Sequence, residues 1–336
     1  MSSNKRTAVI VIFRPAFAAD AAPLPAENRL VARLEALLNR NGVPHEIWRP
    51  ATLSEAGDMA RKASTASPIV AAAGGDGTIN AVSGGLLGTE CRLGILPIGS
   101  GNDIARGLQI PRKLPAAVAL LADGYRLLQS GKESSGMNPA ASIRKIDAGV
   151  FDTVNETDAA SDRLSRHEHH FINTLGFGFD GRVAWNASRM RFLRGKWKYL
   201  GGVLQSLFFY RGTDMTITAD GETYSGRYLM TTVANGPFEG GGIHIAPRAD
   251  PGDGLFDLVM IHDTGIFARI PLLLRVLLFG ASDSTDIRLR QCRTVHVTSS
   301  RPVMAHADGE VISRGLTEFS ATVRPAQLSV IGPDIT

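Results

Sequence analysis

Cysteine is nearly absent. Two residues, Cys91 and Cys292, serve a chain of 336. That excludes a disulfide framework and a cysteine-rich zinc site, and fits a reducing compartment. No uninterrupted apolar run reaches the roughly 18 residues a membrane-crossing helix needs. Met1 to Arg6 is polar, and the apolar run Ala8 to Phe13 is too short for a signal sequence, so a cytoplasmic protein is expected. There is no internal repeat, no Walker A sequence and no nucleic-acid-binding module signature. Net charge is only +4, a mild excess that matters only if it clusters. What is abundant is apolar residues, 44% against 20% charged, which excludes disorder and easily supplies a core. Glycine is the other excess, 36 residues in short clusters without a G-X-Y period, which indicates tight functional loops.

The first third alternates strand and helix signals. Ala8–Phe13, His45–Trp48, Pro68–Ala73 and Arg92–Leu96 read as strands. Between and after them, Ala26–Asn41, Ser54–Ser64 with Ser54 as N-cap, Thr78–Leu87 and Ala116–Asp123 read as helices. This order predicts a parallel sheet with helices on both faces. Gln129 to Ser142 reads as a linker, and Thr153 to His169 as a polar surface loop. Beyond the linker, β-type segments dominate: Ile143–Val150, His170–Leu175, Asp214–Ala219, Arg227–Ala234, Leu255–Ile261, Thr294–Ser299 and Glu318–Val323. They predict an antiparallel β-rich domain with a helical insertion near 182–210. The expected division is 1–130 with a return at about 323–336 for the α/β domain, and 143–322 for the β-rich domain.

The positive charge does cluster. Gly181 to Thr213 has no acidic residue, seven cations and seven interleaved aromatics, among them Trp185, Trp197 and Tyr199. That composition suits an anionic membrane surface, or single-stranded nucleic acid, or a packed helix with a solvated basic face. Gly265 to Gly280 (GIFARIPLLLRVLLFG) is strongly apolar but carries Arg269, Pro271 and Arg275. It is too short and charged to span a bilayer, and a buried helix is expected over an interfacial one.

Two loops carry chemistry. Gly74-Gly75-Asp76-Gly77-Thr78 follows a strand and opens a helix. Such glycines let the backbone reach a phosphate and take positive φ, and the helix N-terminus adds free N–H groups. Asp76 would repel phosphate unless a divalent cation bridges the two. Pro97-Ile98-Gly99-Ser100-Gly101-Asn102-Asp103 follows the next strand, at the sheet edge where open α/β folds bind ligands.

The pair GGDGTIN (Gly74 to Asn80) and PIGSGND (Pro97 to Asp103) resembles the diacylglycerol kinase catalytic-domain superfamily, which includes bacterial lipid kinases, diacylglycerol kinases and sphingosine and ceramide kinases. GGDG alone is also similar to NAD kinases and phosphofructokinases. NTLGFGFD (Asn173 to Asp180), NGPFEGGGIHIAPRADPGDGL (Asn235 to Leu255) and Asp308-Gly309-Glu310 agree in order. The resemblance implies an NAD kinase/phosphofructokinase-like α/β domain, a β-rich lipid-substrate domain and an active site in the cleft between them. It implies an ATP-dependent, Mg²⁺-requiring transfer of the γ-phosphoryl to a lipid hydroxyl, of a diacylglycerol-like, phosphatidylglycerol-like or sphingoid lipid. A kinase of a soluble hydroxyl substrate, or a lipid- or nucleotide-binding protein without turnover, are the alternatives. Nucleotide contacts would come from Thr52, Gly74, Gly75, Asp76, Gly77, Thr78, Asn80, Gly99, Ser100, Asn102 and Asp103. Asp308 or Glu310, taken as one unit, would be the general base. Asp253 and the carbonyls of Asp250 and Leu255 would hold a structural magnesium ion. Implied partners are a lipid substrate and the inner face of a membrane, with no nucleic acid and with a homodimer as an option.

Three positions depart from the family pattern. Arg14-Pro15 stands where Asn-Pro is usual, and Ser100 replaces a threonine while keeping the hydroxyl. Near the second helix, Thr52 and Ser54 both qualify as the nucleotide-contacting hydroxyl. His167, Glu168, His169 and His170 read as solvated loop rather than metal cluster, and Cys91 as buried rather than reactive.

Overall fold

The computed structural model describes residues 8–15, 25–131, 141–153, 169–189, 201–203, 205–207 and 210–334. The linker at 132–140, the polar loop at 154–168, and Trp197 and Tyr199 of the acid-free segment lie outside the described residues. The chain forms two compact units, one of residues 1–146 with 326–336 and one of 147–325. Among the described residues no helix is long and apolar enough to cross a membrane.

The first unit alternates β1 (Val9–Arg14), α1 (Pro25–Arg40), β2 (His45–Trp48), α2 (Leu53–Ala66), β3 (Ile69–Gly74), α3 (Asp76–Leu86), β4 (Arg92–Pro97), α4 (Asp103–Gly107) and α5 (Leu114–Gln129). Strand order is β4-β3-β1-β2, all parallel. Ser329–Val330, near the end of the chain, runs parallel to β4 on its other side. All six residues of β3 are buried, as expected of an apolar strand covered on both faces. The helix after β2 begins at Leu53, with Thr52 rather than Ser54 as its cap. Thr52 Oγ1 accepts the Glu55 amide (3.1 Å), and Glu55 reaches back to the Ala51 amide (2.7 Å). A Thr-x-x-Glu spacing makes this reciprocal cap, which Ser54 cannot.

The second unit contains β5 (Ser142–Thr153, entering from the first unit), β6 (His169–Phe171), β7 (Thr174–Gly178), α6 (Phe179–Arg189), β8 (Thr213–Ala219), β9 (Glu222–Ala234), β10 (Phe238–Glu239), β11 (Ile243–His244), β12 (Phe256–His262), α7 (Ile266–Phe279), β13 (Ile287–Cys292), β14 (Thr294–Ala307) and β15 (Glu310–Gly332, leaving for the first unit). The order β13-β12-β9-β7-β14-β15 is antiparallel, and β8 pairs with both β9 and β14. Phe171, Phe177, Phe256 and Phe319 fill one core; Phe179, Val259, Ile261, Leu272 and Val276 form another. The short segments read as Thr294–Ser299 and Glu318–Val323 belong to strands of 14 and 23 residues. They meet at Asp308-Gly309, whose φ values of +48° and +82° make a two-residue hairpin turn.

The expectation for Gly265–Gly280 is corrected. It is a helix, but only Arg269, Leu272 and Val276 are buried. Phe267 is 89% exposed, Leu278 69% and Phe279 81%. Apart from Arg269 and Arg275 the sequence is apolar on every side, so its pattern gave no sign of which side would remain uncovered.

Candidate active site

In the first unit the two glycine loops are adjacent. A Cβ on Gly99 would lie 2.4 Å from the Cα of Gly75, and one on Gly74 would lie 2.7 Å from the Arg14 carbonyl. Neither loop uses glycine for positive φ: Gly75 is extended at φ −92°, and the left-handed position belongs to Asn102 at φ +56°. The glycines are therefore needed for close backbone approach, not for handedness. Asn102 staples its own loop, accepting the Gly99 amide (3.1 Å) and donating to the Gly99 carbonyl (2.9 Å). Asp76 ties one loop to the other by accepting the Ile104 amide at 3.0 Å. Burial pushes its carboxyl above the usual range, against the pull of the amides at Ile104, Asp103 and Asn102. Thr78 donates its hydroxyl to the Arg14 carbonyl (2.9 Å), and Arg14 Nε reaches the Ala51 carbonyl (3.3 Å). Asp103 lies 3.7 Å from Arg106. Gly77, Asn80 and Gly99 are half-buried, and Ser100 is exposed. The N-termini of α3 and α4 and the cap of α2 thus stand at the C-terminal edge of one parallel sheet. Thr52 is there as a helix cap.

The second unit gathers its motifs around two buried centres. Asp308 accepts the amides of Ile172 (3.0 Å), Asn173 (2.9 Å) and Thr174 (2.9 Å), so both its oxygens serve backbone donors. Gly309 turns the chain, leaving Glu310 exposed at the start of β15. Asn173 and Asn235 brace the same region through the Phe238, Asp147 and Ile172 carbonyls.

The other centre is a triad. His306 Nε2 lies 3.1 Å from Glu239 Oε1 and 3.5 Å from Asp180 Oδ2, all three side chains buried. Asp180 also accepts the Thr232 hydroxyl at 2.8 Å. Burial would lower the imidazole pKa, but the charges of Glu239 and Asp180 beside it overcome this and raise it to about 10. Gly176 leaves room for the triad, since a Cβ there would fall 2.2 Å from both Asp180 Oδ2 and His306 Nε2. Asp180 and Glu239 are the charged residues lining a cavity of about 620 Å³, whose other walls are glycines and apolar side chains such as Phe179, Met230, Ile261, Leu273 and Leu277.

Comparison with known proteins gives the family and the fold. Residues 21–128 match the diacylglycerol kinase catalytic domain, and 173–332 match the YegS C-terminal NAD kinase beta sandwich-like domain. The chain belongs to the diacylglycerol kinase catalytic-domain superfamily. It is 29% identical over 262 residues to a diacylglycerol kinase of Mycobacterium tuberculosis, covering 77% of this chain and 75% of the relative. Identity to a diacylglycerol kinase of Bacillus subtilis is 28% over 264 residues, 76% of each chain. A crystal structure of a diacylglycerol kinase from Bacillus anthracis has the same fold, with a TM-score of 0.70, 20% identity and 98% of both chains covered. The protein is accordingly a phosphotransferase with an alcohol acceptor, and a lipid kinase at the level of the family.

The resemblance implied a structural magnesium ion at the Asp250–Leu255 loop. Here that loop is closed by local turns: Asp250 accepts the Gly252 amide (3.0 Å) and Asp253 the Leu255 amide (2.9 Å). Asp147, outside the predicted set, accepts the Gly254 amide at 2.7 Å. Burial raises the Asp253 pKa, and the charges of Asp250 and Asp147 raise it further. Carboxylate and carbonyl oxygens are the donor chemistry a hard cation fits, although these three carboxylates each accept an amide of the loop and do not gather at ligand spacing.

Sequence reasoning left four residues out of its site: Asp147, Asp180, Glu239 and His306. Asp180 and Glu239 lie inside motifs quoted for the resemblance, and His306 sits in an otherwise apolar stretch two residues before Asp308. For Asp147, Glu239 and His306 a titratable residue inside a strand was the available signal; Asp180 stands in the first turn of α6. Cys91 is buried with its thiol pushed up to about 11, an inert group. His169 and His170 open β6, while His167 and Glu168 lie outside the described residues.

Proposed function

We propose that the protein transfers the γ-phosphoryl group of ATP to a hydroxyl of a long-chain lipid. The observation that carries the lipid reading is the cavity of the second unit, lined almost wholly by apolar side chains and glycines, with Asp180 and Glu239 as its charged lining residues. A soluble sugar or nucleotide acceptor has no use for such walls, whereas an acyl chain fills them. The glycine loops supply the phosphate-binding part: close-packed backbone at Gly75 and Gly99, with the positive ends of α3 and α4 beside them.

Phosphoryl transfer needs little covalent chemistry from the protein beyond positioning, charge stabilisation and a proton acceptor. Of the DGE pair, Glu310 is the better proton acceptor because it is exposed, while Asp308 is committed to three amides and sets the turn. Mg²⁺ bound with ATP would neutralise phosphate charge. At the 250–255 loop, Asp253 and the Asp250 and Leu255 carbonyls, with Asp147 beside them, would hold a structural ion.

The enzyme would work at the inner face of a membrane. In the acid-free segment, the guanidinium groups of Arg189 (5.3 Å) and Arg314 (5.2 Å) both lie over the ring of Trp185, and Arg211 is exposed. The test is transfer of labelled phosphate from ATP to a total bacterial lipid extract. One labelled lipid is expected; label appearing only in water-soluble hydroxyl compounds would overturn the reading.

A further inference from the structure

Among the described residues, every large hydrophobic side chain more than about a third exposed lies on α7: Ile266, Phe267, Ile270, Leu274, Leu277, Leu278 and Phe279. A soluble protein rarely gathers its exposed apolar surface on one element. The helix is firmly seated. Buried Arg269 donates to the Leu207 carbonyl (3.0 Å), the Tyr210 carbonyl (2.7 Å) and Asp263 (2.6 Å), and Leu272 and Val276 enter the core. The opposite side is left with Phe267 and Phe279 at 89% and 81% exposure.

Two observations say what covers that side. First, Ile270, Leu274, Leu277 and Leu278 line the apolar cavity while remaining exposed, so the outer face and the cavity wall are one continuous apolar surface. An occupant of the face whose own molecules fit the cavity is a lipid phase. Second, the charges suit anionic headgroups. The helix carries Arg275 and no acid, and Arg269 joins it to the acid-free segment that ends in exposed Arg211. Of the carboxylates near its ends, Asp263 is bridged by Arg269 and Arg227, and Asp283 by Arg248 and Arg290.

We propose that the outer face of α7, with Phe267 and Phe279 foremost, inserts into the headgroup layer of an anionic phospholipid bilayer and so sets the cavity mouth against the lipid phase. The docking rests on the exposed face; only its purpose rests on the lipid kinase reading. The test uses the whole protein, with sedimentation on vesicles of phosphatidylcholine and phosphatidylglycerol at 3:1. The double variant Phe267→Ser/Phe279→Ser should bind these vesicles about a hundredfold more weakly than wild type, about tenfold for each ring withdrawn. Neither ring lines the cavity, so transfer to a short-chain diacylglycerol below its micellar concentration should stay within about twofold. A Phe279→Trp probe should be quenched by phospholipids brominated high on the acyl chain. Vesicle binding by the double variant within twofold of wild type, or no quenching of the probe, overturns the proposal. So does a wild-type dimer that the double substitution splits while vesicle binding is unchanged, because the face then seats a second copy. If wild type phosphorylates no lipid yet the double variant still loses vesicle binding, the kinase reading falls and the docking stands.

Discussion

The two candidate centres are built from different parts of the chain's chemistry. In the first unit, the glycine loops are a backbone device, with carbon packed on carbon at Gly75 and Gly99. In the second, the triad is a side-chain device, assembled from Asp180, Glu239 and His306 on separate elements. A backbone device must be nearly contiguous in sequence, and it fails by steric exclusion. A side-chain device can draw on distant residues, and it fails by leaving charge uncompensated. The contrast predicts which substitutions each will tolerate.

The largest effect should come from Gly99→Val. With a Cβ 2.4 Å from the Gly75 Cα, the loops must separate, and ATP affinity should fall at least a hundredfold by calorimetric titration. Gly75→Ala is the sharper half of the pair. Its Cβ would meet the Gly99 Cα at 3.4 Å and its φ is ordinary, so affinity should fall about tenfold or less. Equal losses from the two would show that handedness, not packing, sets the loop.

Next in size is the DGE turn. Glu310→Gln should cost two to four powers of ten in turnover with unchanged stability, as removal of a general base does. Asp308→Asn should act mainly on stability, by about 2–3 kcal/mol in urea, because an amide group would face backbone donors. Full activity of the Glu310 variant would move the base to the triad.

The triad should break electrostatically. His306→Leu leaves two buried carboxylates facing each other and should cost about 3–5 kcal/mol, with ATP affinity untouched. The pH dependence has a definite sign. A histidine pKa raised on folding contributes stability that is complete below about 6.5, its unfolded value, and lost as pH rises through the folded value near 10. Unfolding midpoints should therefore fall between pH 7 and 10, and His306→Gln should flatten that slope. A profile unchanged by the substitution would mean the ring is neutral throughout.

The smallest effect belongs to Thr52→Ala. Loss of the reciprocal cap with Glu55 should destabilise by about 1 kcal/mol, and nucleotide affinity should change less than threefold if Thr52 serves only as a cap. A larger affinity loss would return Thr52 to the nucleotide site.

The same contrast explains what could be read in advance. The α/β alternation was legible because buried parallel strands are short apolar runs, and the glycine loops because their constraint is local. The family resemblance reached the second unit through motifs containing Asp180, Glu239 and Asp308, but not what these residues do. Asp308 was read with Glu310 as one candidate base, and its partners, more than a hundred residues earlier at Ile172–Thr174, come together only in the fold. The triad needed the tertiary fold to exist at all. The long pairing of β14 with β15 was hidden because bulges interrupt its alternation between Thr298 and His306. Helix α7 was misjudged for a related reason: apolar composition reports affinity for a nonpolar environment, not which environment that is.

The last strand has a consequence for synthesis. Strand β15 runs from Glu310 to Gly332, so the α/β unit receives its final strand only after residues 147–325 have been made. Until Ser329 and Val330 arrive, β4 has an open edge, and the small surface at Gly124 waits for Ile331. During translation the nucleotide-binding half is therefore a sheet with an unpaired, apolar border, the kind that invites wrong pairing. A fragment ending at Ile146 should expose that border permanently and aggregate. Adding residues 326–334 as a separate peptide should rescue its solubility.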